Sequence, residues 1–153
     1  AGAIVGAVAY LLCFLLRPSN PFVYVAFAAV ATVSVGYFNT VVWAMITDVI
    51  DDTEVCTGVR EDGTVYSVYS FARKLGQAIS SGLIGALLTM IGYSEATAFD
   101  PAVTGKIFNL SCLAPFAGFV ALALILVFLY PLSKTRVEQN IATLAARREG
   151  KEN

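Results

Sequence analysis

Lys74 stands about nine residues inside a long apolar stretch, at a depth of about 13 Å for a helix rising about 1.5 Å per residue. A cation near the centre of a membrane helix costs about 2.5–3.5 kcal/mol, and residues kept at that cost usually face a bundle interior or an aqueous cavity. The alternative is snorkelling, in which the long side chain reaches back to the interface. Ser67, Ser70, Lys74, Gln77 and Ser81 recur at three- and four-residue spacing and share one side of a helix, with Tyr66, Tyr69 and Arg73 on the adjoining stripe. A polar strip of that kind suits a helix lining a water-filled cavity, and a snorkelling side chain needs no such company. Lys74, Tyr66, Ser70 and Gln77 are therefore the candidate cavity residues. Arg73, one step round the helix, stays open between cavity and snorkelling, and we group it with the charge network described next.

The second constellation is acidic. Asp48 and Asp51 are three residues apart and share a face if the preceding helix continues through them. Arg60 follows the Gly58 turn and can close back on them as an ion pair. An exposed pair of this kind contributes only about 0–1 kcal/mol to stability, so its interest is as a contact that forms and breaks. Asp52, Glu54, Glu61 and Asp62 read as a solvated acidic loop.

The elements that must position these residues are membrane helices. Of 153 residues, 58% are hydrophobic and 14% charged, with a mean hydropathy of +0.74; a soluble domain is about 45–50% apolar and about 25% charged. A chain this short cannot bury so much apolar surface in one aqueous core. Formal net charge is −1 with no histidine, which gives no basic nucleic-acid surface and excludes histidine catalysis or ligation. Cys13, Cys56 and Cys112 are far apart without CxxC spacing and read as buried or loop thiols, giving neither a metal site nor a disulfide framework. No phosphate loop or nucleophile constellation is present, so no enzyme activity and no bound cofactor are expected. Asn109-Leu110-Ser111 matches a glycosylation sequon but opens an apolar span, and is discounted.

Four apolar stretches are judged against the roughly 20 residues that cross a bilayer: 1–16, 22–46, 65–91 and 108–130. Ala1 opens inside an apolar run without Met or a basic leader, which reads as a span cut at its amino end and not as a signal peptide. Trp43 sits near an expected interface. Residues 48–62 read as an acidic loop and 92–106 as a short one. Pro115 predicts a kink. The tail, 131–153, is expected to be partly helical, with Val137, Ile141 and Leu144 on a face lying against the membrane surface. Thr32, Gly36 and Thr40, and Ala78, Gly82 and Ala86 with Ser81 and Gly85, have the spacing of close helix packing. Arg60, Lys134, Arg136, Arg147, Arg148 and Lys151 fall on one side of the spans, against Arg17 and Lys106 on the other, which puts the acidic loop and the carboxyl terminus in the cytoplasm.

Three pieces of sequence then combine: Ala44-Met-Ile-Thr-Asp-Val-Ile-Asp-Asp-Thr-Glu, with its Asp48-x-x-Asp51; Thr57-Gly-Val-Arg-Glu-Asp-Gly, with Gly58-x-Arg60; and Tyr66-Ser67-x(6)-Lys74. Met90-Ile-Gly-Tyr93 follows. In this order and spacing the chain resembles the glycoside-pentoside-hexuronide:cation symporters of the major facilitator superfamily, over most of its length. The resemblance implies an all-α membrane protein whose four transmembrane helices are the last four of twelve, with the amino-terminal helices of the same protein as partners. It implies a bacterial, multi-pass plasma-membrane sugar or glycoside symporter coupled to sodium or protons. The coupling cation is then cargo, not a cofactor. Asp48, Asp51 and Arg60 would join the cytoplasmic charge network between the two halves, and Lys74 would sit near the central cavity. The alternatives are a major facilitator for a non-sugar cargo, or a non-transporting four-helix membrane scaffold.

Overall fold

The computed structural model describes residues 2–152, with side chains through residue 149. Ala1, Asn153 and the side chain of Lys151 lie outside the described residues. Among the described residues five helices follow one another: α1 (Gly2–Leu16), α2 (Pro21–Thr57), α3 (Asp62–Met90), α4 (Pro101–Phe128) and α5 (Lys134–Glu152). Among the described residues α2 and α4 are both long and apolar enough to cross a membrane, and α1 is apolar but shorter.

Residues 48–57, expected as loop, are helical: α2 runs on through the acidic run to Thr57. Glutamate, threonine and aspartate tolerate helix at a cost of less than about 0.7 kcal/mol each, and no Gly or Pro interrupts them before Gly58. Gly58 ends the helix at φ 75°, a conformation glycine adopts without steric cost. α4 likewise starts earlier than its apolar run. Asp100 caps it, its side chain accepting from the amide of Ala102, and Pro101 occupies the first turn, where a missing N–H costs nothing. The helix continues through Pro115.

The chain forms two compact units. In the first, residues 1–39 and 76–129, α1 packs closely along α4. Ala3, Ala7, Ala31 and Phe119 form its buried centre, flanked by Tyr10, Phe116 and Val120. Gly6 is what allows the approach: a Cβ there would fall 2.5–2.8 Å from the Phe119 ring. Without a hydrophobic drive between helices in lipid, such small residues decide where backbones meet. The stripe expected to do this on α3 does not do so here, since a side chain at Gly82 or Gly85 would meet no atom within 4 Å. Cys13 and Cys112, distant in sequence, are fully buried free thiols. Arg17 holds the α1–α2 turn at φ 41°, donates to Asn109 Oδ1 at 3.0 Å and lies over the Phe14 ring. The discounted sequon asparagine is thus a polar joint between the α1–α2 turn and α4.

The second unit, residues 40–75 and 130–153, joins the carboxyl-terminal part of α2, the first turns of α3, and α5. Ile46, Ile50, Leu132 and Leu144 are buried in it, beside a set of ionic and hydrogen-bonded contacts.

Candidate functional site

Because α2 remains helical past Ile46, it carries Asp48, Asp51, Asp52 and Glu54 on its last turns. The Gly58 turn sends the chain back so that Arg60 meets three carboxylates. Its Nη1 donates to Asp51 Oδ1 at 3.0 Å and to Glu54 Oε2 at 2.9 Å, and its Nε donates to Asp62 Oδ2 at 2.9 Å. These acceptors, Glu54 first, push the guanidinium pKa further up. Asp48, expected beside Asp51 in the same pair, makes no ion pair among the described residues. Burial, and secondarily the charge of Asp51, raises its carboxyl above the usual range.

The tail supplies a second set of cations. Arg136 grips both oxygens of Asp52, Nε at 2.7 Å and Nη2 at 3.0 Å, and Asn140 donates to Asp52 Oδ1 at 2.8 Å. That bidentate, charge-assisted geometry holds the Asp52 carboxyl below its usual value. Arg147 donates to the backbone carbonyls of Glu54 and Val55 at 3.3 and 3.2 Å, and Arg148 comes to 4.0 Å from Glu54. The solvated-loop reading is therefore corrected for Asp52, Glu54 and Asp62, all of which are engaged; Glu61 alone of that set is exposed without an ion pair. Asn140 and Leu144 are buried, at 6% and 4% exposure, while Ile141 is 56% exposed.

On α3, Tyr66 lies tilted and Tyr69 edge-on to Trp43 of α2, with ring centroids 6.1 and 5.9 Å away. Arg73 Nη1 donates to the Tyr69 hydroxyl at 3.5 Å and meets none of the carboxylates, so the structure does not bring it into the charge cluster with which it was grouped. Ser67 satisfies its hydroxyl locally on the Gly63 carbonyl at 2.6 Å. Lys74, Ser70 and Gln77 are exposed on α3, a helix with no buried residue. Among the described residues no group of three His, Cys, Asp or Glu side chains is placed to hold a metal ion.

Sequence reasoning missed Asp52, Asn140 and Arg147. The one signal available was an end of α2 rich in acid and a tail rich in arginine.

The chain matches the family model described as MFS/sugar transport protein over residues 1–134. It is 32% identical over 148 residues to a glucuronide carrier protein homolog of Escherichia coli, covering 97% of this chain and 32% of that protein. It is 35% identical over 136 residues to a putative sulfoquinovose importer of the same organism, covering 89% and 29%. More distantly, it is 28% identical over 148 residues to the sodium-dependent lysophosphatidylcholine symporter 1 of Gallus gallus, covering 95% and 28%. The chain spans about a third of the length of the curated relatives it matches. No solved structure matches it. With a match running from α1 to the start of α5, and the Asp-x-x-Asp, Gly-x-Arg and Tyr-Ser-x(6)-Lys pieces in order, the chain belongs to the MFS/sugar transport protein family, among the glycoside-pentoside-hexuronide:cation symporters.

Proposed function

We propose that the whole protein is a sugar or glycoside symporter coupled to sodium or protons, and that this chain supplies the last four of its twelve transmembrane helices, α1 to α4. The observation that carries the reading is the family match over residues 1–134. Alternating access places the cargo near the bilayer midplane between two repeat-related halves, so no bond is made or broken and no resident cofactor is needed. In this reading the carboxyl terminus is cytoplasmic, the protein is a multi-pass plasma-membrane protein of a bacterium, and the faces of α3 left bare here meet helices from the rest of the same protein.

Lys74 is the residue we assign to the cavity, with Tyr66, Ser70 and Gln77 beside it. What supports this is a cation without a partner among the described residues, on an exposed polar strip of an otherwise apolar helix. A charge retained at that depth marks a substrate or ion path more often than a structural contact. The cluster of Arg60 with Asp51, Glu54 and Asp62 serves as the charge contact that opens and closes between states, as partly exposed pairs exchange at little cost. In the whole transporter, Lys74→Ala abolishes or uncouples uptake while the protein remains in the membrane. Uptake at normal rate and coupling refutes the role.

A non-sugar cargo is the second reading, favoured by the likeness to the lysophosphatidylcholine symporter. Uptake of a panel of radiolabelled glycosides, with and without a sodium gradient, separates the two. Saturable, gradient-driven uptake of a glycoside supports the first, and sodium-driven uptake of a radiolabelled lysolipid without glycoside uptake supports the second.

A further inference from the structure

The end of α2 has a need that its own sequence does not meet. The last four carbonyls of a helix have no partner within it, and the last turn carries the negative end of the dipole. α2 adds Asp51, Asp52 and Glu54 to that end and has no basic residue in its last turn. Arg60 answers Asp51 and Glu54. Asp52 and the carbonyls of Glu54 and Val55 are answered from α5, by Arg136, Asn140 and Arg147, the Glu54 carbonyl also accepting from the Gly58 amide. Arg136, Asn140 and Arg147 stand four and seven residues apart along α5, so one face of that helix delivers all of them, with buried Leu144 between the last two.

We infer that α5 is a releasable latch on the end of α2, with Asp52 as its hub. Asp52 is the right residue for that part because it takes three hydrogen bonds from α5, two of them from one planar guanidinium that fixes the angle of approach. Once α5 is seated, Arg147 closes the helix end and Arg148 comes within 4.0 Å of the carboxylate that Arg60 also holds. Glu54 is thereby shared between the tail and the Arg60 cluster, and the seating of α5 bears on how firmly that cluster is held. The latch is releasable because its charged groups are partly exposed, the Arg136 side chain by 48% and Asp52 by 21%, and pairs in contact with water open readily.

The experiment uses the whole protein in native membranes, freed of cysteine except for one reporter. Leu144→Cys reports the buried face of α5, and Ile141→Cys the exposed face. Maleimide labelling is expected to be slow at residue 144 and fast at residue 141. Asp52→Asn then accelerates labelling at residue 144 by about three- to tenfold, the range for losing a partly exposed bidentate pair, with no change at residue 141. The exchange Asp52→Arg with Arg136→Asp restores slow labelling. If Asp52→Asn prevents accumulation of the protein, Arg136→Gln breaks the same contact from the other side and gives the same reading. Equal labelling at residues 144 and 141 in the unaltered background overturns the latch, as does slow labelling at residue 144 after the hub is removed. None of these readouts requires transport, so the latch and the symport reading fail separately.

Discussion

The α1–α4 seam and the α2–α5 seam join helices by opposite means. Along the first, Ala3, Gly6, Ala7 and Phe119 meet with almost no polar contact, and the fit of a ring against a bare backbone sets the distance. Along the second, two carboxylates, three arginines and an asparagine share the contact, beside buried Leu144. Each kind of contact suits its own surroundings. Close packing works without water, because dispersion needs only contact. Ionic contacts work where water can solvate them while they are open.

The largest effect is expected at Gly6. Gly6→Val places a branched side chain against the Phe119 ring, and overpacking of this kind costs about 1–3 kcal/mol; the melting temperature of the purified whole protein falls, while a substitution at Ile141 leaves it unchanged. Salt sharpens the contrast at a smaller scale. Going from about 0.1 M to about 1 M shortens the screening length from about 10 Å to about 3 Å. Labelling at Leu144→Cys therefore accelerates, whereas Cys13 and Cys112 stay unreactive in a protein that retains them.

The smallest effect distinguishes two carboxylates one turn apart. Asp52 is held below the ordinary range, so its contribution is present above its unfolded pKa and is lost as pH falls through the lowered folded value. Asp48 is raised by burial, so the folded state binds its proton more readily than the unfolded state does, and its penalty grows as pH rises through the raised value. At neutral pH, Asp52→Asn lowers stability and Asp48→Asn leaves it unchanged or raises it, read as opposite shifts in melting temperature. Shifts of the same sign would erase the distinction.

Much of this was legible in sequence where the signal is local. Runs of apolar residues mark helices because hydrocarbon thickness sets a length, and the Gly58 turn followed by Arg60 announces a return toward Asp51 within a few residues. The acidic stretch was misread as loop because composition was taken as a sign of solvent exposure, although nothing in Asp48–Thr57 breaks a helix. The start of α4 was visible in Asp100-Pro101, a capping pair, but Lys106 drew the boundary later. Asp52 with Arg136 was out of reach, being a contact across 84 positions that no spacing rule encodes. The α1–α4 approach at Gly6 was hidden for a related reason. Small residues are frequent in every apolar helix here, and which of them meets a ring depends on the partner helix.

The same separation of 84 positions has a consequence for biogenesis. At about 5–20 residues per second, the ribosome leaves Asp52 waiting roughly 4–17 seconds for Arg136. Arg60 emerges within about two seconds and gives the end of α2 its first countercharge. The nascent protein therefore passes through a stage in which that terminus is neutralised from its own hairpin, and the tail completes the arrangement last.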